Sequence, residues 1–220
     1  MDRNMLLGIL GITLFALAAA ILLPGGRTVD GEPKLPWIID VESPEKLSVM
    51  GITLGQSTLR EAENIFKAGA KVTLFRSADG KYAIEAYFQR IYLSSIRADL
   101  VVTLDVDKAT TDGMFNRGVR ISNISNGAKK VDLSSDDLES IKQAKISHIT
   151  YIPASDLDED LLLSRFGEPA ERLKELDSKT THWLYPSKGL DIAVNPDGKE
   201  VFQYILPAHF DLVTEPLRSN

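Results

Sequence analysis

Chemistry in this chain would start at its three histidines, because imidazole titrates nearest neutrality and ligates metals readily. His148, His182 and His209 stand apart, and none has another histidine three or four residues away. A zinc centre needs three or four converging ligands, so lone histidines point to ordinary strand or surface positions. His182 has Asp177 and Asp191 near it in sequence, which leaves a shared site conceivable. The run Asp156-Leu157-Asp158-Glu159-Asp160 imitates the start of a calcium loop. Its sharp-turn glycine is missing, and Gly167 stands where the bidentate glutamate belongs. Acids fronting a helix explain the run without a metal. No glycine-rich phosphate cradle precedes a helix, and neither a Gly-x-Ser-x-Gly elbow nor a His-Glu-x-x-His pair occurs. The expectation is a protein with no catalytic residue, no cofactor and no metal.

Surfaces are then the remaining candidates. Trp183, Tyr185, Tyr204 and Phe210 gather aromatics near the end of the chain, and aromatics dominate interface anchors. The alternative is that their strands simply fill the core. Arg117, Arg120, Lys129 and Lys130 make a basic spot that could face an acidic partner or lipid headgroups. A charged edge that discourages strand pairing explains them equally well. The chain as a whole has 31 acidic and 25 basic residues, a net charge of −6, and so lacks the footprint of a nucleic-acid binder. It has no cysteine, which removes disulfides, thiol chemistry, zinc–cysteine sites and a lipid-bearing N-terminus.

The elements that must position these residues follow an apolar leader. Residues 5–23 carry no charge, and as a helix they would reach roughly 28 Å, near the hydrocarbon thickness of a bilayer. Pro24-Gly25-Gly26 ends the run. A transmembrane helix is predicted, retained and not cleaved, since cutting after Ala20 would leave Ile21-Leu22-Leu23 leading the mature chain. Residues 1–4 become a cytoplasmic head, and the soluble domain lies in the periplasm of a single-pass inner-membrane protein. Gly8, Gly11, Ala16, Ala18 and Ala19 fall largely on one side, where a neighbouring helix could approach. Small residues are also common in any span.

Residues 24–46 read as a proline-broken tether, interrupted by Trp37-Ile38-Ile39 as an interfacial anchor, a short strand or a plug. Residues 47–106 then form a unit in which Thr58 and Glu61 make a capping box, Gly69 closes the helix, and three strands follow. Residues 147–210 repeat the order, with Ser155 or Asp156 as cap and Phe166-Gly167 as the helix end. Between them, 107–146 read as an insertion of short helices and a hairpin across Asn126-Gly127, and 211–220 as a tail. The predicted fold class is α+β: one N-terminal transmembrane helix, then two helix-plus-three-strand antiparallel meander units sharing a core.

Gly51-Ile52-Thr53-Leu54-Gly55 before a capped helix, and Phe166-Gly167-Glu168-Pro169 before a meander ending Trp183-Leu184-Tyr185-Pro186, resemble the SmpA/OmlA, or BamE-like, envelope domain. That family is akin to the tandem units of β-lactamase inhibitor proteins. The resemblance covers residues 51–106 and 149–207. It departs from the family in lacking a lipidated cysteine, and the first copy reads Gly69-Ala70-Lys71 without the proline. What it implies is a non-catalytic envelope module that binds protein. The functional expectation is therefore a membrane-anchored, non-catalytic periplasmic accessory subunit, partnered by the inner membrane and another envelope protein. The alternatives are a binder of a small apolar or lipid-like ligand and a hydrolase with dispersed residues such as His182 and Asp191.

Overall fold

A computed structural model describes residues 33–124, 127–176 and 178–218. A small sheet comes first, with β1 (Ile39–Ser43), β2 (Lys46–Val49) and β3 (Ile52–Thr53) adjacent in that order. Thr58 then caps α1 (Leu59–Phe66) through a complete capping box, the Glu61 carboxylate accepting the Thr58 N–H at 2.8 Å. A meander of β4 (Lys71–Arg76), β5 (Tyr82–Leu93) and β6 (Ile96–Asp105) follows. Asp107 caps α2 (Lys108–Asn116), β7 (Arg120–Asn123) pairs with β8 (Lys129–Asp132), and Ser134 caps α3 (Ser135–Ile141). After β9 (Lys145–Pro153) comes α4 (Glu159–Phe166), capped by Asp158. A second meander, β10 (Glu171–Lys174), β11 (Thr181–Tyr185), β12 (Leu190–Val194) and β13 (Val201–Tyr204), leads to α5 (Asp211–Arg218).

The two meanders are one sheet. Its ten antiparallel strands run β10-β11-β12-β13-β9-β6-β5-β4-β8-β7. β9 is the stitch, pairing Val101↔Thr150 with β6 on one side and Gln203↔Thr150 with β13 on the other. Left apart, β6 and β13 would each present a bare edge to solvent, and sharing β9 removes both. Leu100, Ile149, Tyr151 and Phe202 point to one face, where Leu59 and Phe66 of α1 and Leu162 and Phe166 of α4 join them in a single core. Burying a side chain of this size stabilises the fold by about 1.5–3 kcal/mol. On the opposite face, α5 covers a smaller cluster of Leu184, Ile205 and Phe210.

Two expectations are corrected here. The second meander has four strands, and both meanders belong to one continuous sheet, so the fold is not a pair of three-strand units. Nor does a described helix cross a bilayer. Among the described residues none is long and apolar enough, and the longest, α2, has nine residues and spans only about 14 Å. This overturns the single-pass inner-membrane reading and the periplasmic placement built on it. Residues 5–23, with Gly8, Gly11, Ala16, Ala18 and Ala19, lie outside the described residues.

Candidate functional site

His182 does meet Asp191, and a third group joins them. In the β11–β12 register His182 faces Ala193 and Leu184 faces Asp191, so His182 and Asp191 are diagonal neighbours on one side of the sheet. His182 Nδ1 lies 2.8 Å from Asp191 Oδ2, and Nε2 lies 3.0 Å from Glu175 Oε1. Asp191 is 0 % exposed and its Oδ1 has no partner. Burial opposes charge on His182, but the two carboxylates outweigh it and raise its pKa above the ordinary value. Burial likewise raises that of Asp191. Both imidazole nitrogens are taken, which leaves neither to activate a nucleophile. The carboxylates surround the ring and do not converge on a point, and among the described residues no group is placed to hold a metal. The trio staples β10, β11 and β12. Glu175 was missed because β10 was not predicted, and Asp177 lies outside the described residues.

The other sequence candidates scatter. Trp183, Tyr185, Tyr204 and Phe210 are 2, 4, 0 and 6 % exposed, so they fill the interior and offer no aromatic surface. Arg117 is spent on Asp137 at 2.7 Å, and Lys129 lies over the Phe115 ring. Arg120 remains exposed and Lys130 half-buried, on the edge hairpin β7–β8. In the acidic run, Asp158 accepts the Leu161 N–H at 2.7 Å and so serves as a helix cap. His148 bonds Ser147, and burial, with His209 nearby, holds its pKa low.

The best-formed space in the molecule is a cavity of about 480 Å³ beneath α4. Its floor is aromatic: Tyr151 meets Phe202 edge-on at 5.3 Å, and Phe166 lies 5.6 Å from Phe202. Leu161 and Leu162 form one wall, held in place because the end of α4 is tied down. There the Tyr185 hydroxyl donates to the Gly167 carbonyl at 2.8 Å, and the Lys188 ammonium donates to that of Phe166. The facing wall is the β5–β6 turn with Ser95, Ile96 and Arg97. Ser94 and Ser95 both have positive φ, 46° and 77°, the conformation of a tight two-residue hairpin that glycine and asparagine favour. Holding serines there costs about 1–3 kcal/mol each.

That turn fastens the roof. Ser94 Oγ accepts the Lys34 N–H at 2.9 Å, and the buried Tyr204 hydroxyl donates to the Pro36 carbonyl at 2.8 Å. Trp37 lies over the opening with the Arg165 guanidinium 4.6 Å from its ring centre. Among the polar residues that line it, Tyr151 is the most deeply buried: it is 2 % exposed, and its hydroxyl makes no hydrogen bond among the described residues. Burial pushes its pKa up to about 12, which keeps it a neutral donor at any physiological pH.

A second, polar groove of about 660 Å³ lies beside Trp183. Its two cations are engaged elsewhere: Lys179 pairs with Asp197 at 2.6 Å, and Arg172 stacks on Trp183 and pairs with Glu168 at 3.0 Å. The cavity under α4 is the stronger candidate.

No family model, curated protein or solved structure matches this chain.

Proposed function

We propose that the chain is a non-catalytic binding module whose occupant is a small, largely apolar molecule held beneath α4. One observation carries this reading: an aromatic-floored cavity within the size range of ligand pockets is lined by largely apolar side chains together with the unpartnered hydroxyl of Tyr151. Apolar walls supply affinity and the Tyr151 hydroxyl supplies orientation. Ala154→Trp would fill the space while leaving its backbone bonds to Arg97 and Lys199 in place. The full-length protein should enhance the fluorescence of the neutral dye N-phenyl-1-naphthylamine saturably at one site, and Ala154→Trp should weaken that binding at least tenfold, about 1.4 kcal/mol. Enhancement that Ala154→Trp leaves unchanged would defeat the proposal.

The edge strand β7 supports a second reading, protein binding. Among the described residues one side of β7 pairs with no strand, and beside it Val119 is 73 % and Ile121 46 % exposed. An extended segment could add there as a further strand, and exposed Arg120 favours an acidic one. The protein-binding character implied by the BamE-like resemblance agrees with this. A photoreactive group at Ile121 should trap one partner, and V119E/I121E should release it. Partner binding that survives those changes would count against the strand.

A further inference from the structure

The cavity's charge distribution is the reverse of the chain's. Among the described residues no acid lines it, yet Arg97 and Arg165 both do. Neither arginine makes an ion pair among the described residues, whereas most of the charged pairs on this surface are matched locally. Arg165 spends its face on Trp37, which leaves the guanidinium N–H groups at its edge free to donate. The excess of cation continues past the mouth. An adjoining groove shares Arg97, Pro153 and Ala154 with the cavity and adds Arg90 and Lys199. Its one acid, Asp99, is already occupied by the Tyr87 hydroxyl at 2.8 Å and the Arg90 N–H at 2.7 Å. In a protein of net charge −6, a purely apolar ligand would have no use for this arrangement.

We infer that the occupant is a single-chain amphiphile with an anionic head, its tail among Tyr151, Leu161, Leu162 and Phe166 and its head between Arg97 and Arg165. The inference rests on the ligand-binding reading above and adds the head group to it. A planar guanidinium pairs with carboxylate or phosphate oxygens alike, so the shared chemistry is an oxyanion on an alkyl chain. Both arginines are solvent-exposed, so their attraction for the head is moderate and falls with salt.

Calorimetric titration of the full-length protein with decanoate, decyl phosphate and decanol separates these ideas. At least one of the two anions should bind about tenfold more tightly than decanol, and comparing them tells a carboxylate source from a phosphate one. R97Q/R165Q should abolish the preference, and R165K should keep it. R97Q alone, which disturbs no ring contact, should weaken the favoured anion by about threefold, so the test stands even if the double variant folds poorly. Decanol binding as tightly as both anions, or a preference that R97Q leaves undiminished, would overturn the anionic head and leave the apolar cavity standing. Failure of all three to bind would overturn both.

Discussion

Replacing His182 with alanine should lower the unfolding free energy by about 3–5 kcal/mol, the usual cost of stranding one half of a buried charged pair. Asp191 is wholly enclosed, and among the described residues its Oδ1 has no partner and His182 is its only hydrogen-bonding neighbour. Glu175 is partly exposed and would recover solvation, so it contributes little to the loss. Removing both members, as in H182L/D191V, should restore most of the stability, which denaturant titration of the three proteins would show. The same imidazole gives stability a pH slope. Its folded pKa lies above the ordinary 6.5, so its contribution is complete below about 6.5 and is lost as pH rises through the folded value. His148, whose pKa is lowered, acts on the other side of 6.5 and leaves that window clear. Stability should therefore fall as pH rises above about 6.5 in the natural chain and stay level in H182Q. A level profile in both would mean that the ring between the two carboxylates is neutral.

Gly189→Ala should cost at least about 3 kcal/mol, which at this size lowers the melting temperature by about 6–12 °C. Gly189 turns the chain from β11 into β12 at φ +56°, a conformation that costs an alanine about 1–2 kcal/mol by itself. Space is the larger objection. An added Cβ would fall 2.0 Å from the Ile205 carbonyl oxygen and 2.7 Å from Leu47 Cδ1. Relief would require moving a backbone whose Ile205 N–H donates to the Gly189 carbonyl at 2.9 Å. Gly167 is the control, since its φ is +77° but a Cβ there meets nothing within 4 Å. Gly167→Ala should therefore cost only its backbone strain at φ 77°, ψ −173°, about 1–3 kcal/mol. Equal melting temperatures for the two variants would show that the β11–β12 turn yields more easily than its packing suggests.

Local chemistry was legible in the sequence and long-range pairing was not. The Thr58–Glu61 box, the strands Lys71–Arg76 and Tyr82–Leu93, and the helix end at Gly167 all follow from signals a few residues long. β10 escaped notice because Glu171-Arg172-Leu173-Lys174 is a short edge strand with three charges. β1 lies within the proline-rich stretch read as a tether, and only its first residue, Ile39, belongs to the Trp37-Ile38-Ile39 run for which a short strand is one reading. The union of the two meanders depends on which strand takes the place beside β6, and no local pattern specifies that. The cavity was invisible for the same reason. Its lining comes from residues 36–37, 95–97, 151–157 and 161–166 together with Phe202, segments that meet only once β9 is seated. The aromatic cluster admitted two readings, partner anchor or core filler, and burial decides for the core, because a tyrosine or tryptophan that anchors a partner has the same composition as one that fills a core.

The position of β9 also sets a schedule for biosynthesis. The ribosome releases β4, β5 and β6 first, and about 40 further residues must emerge before Lys145 follows Asp105. At roughly 5–20 residues per second that gap leaves the outer edge of β6 unprotected for several seconds in every nascent chain. The moment of greatest exposure to aggregation in the life of this protein comes during its own translation, and a slow codon stretch within residues 106–144 would prolong it.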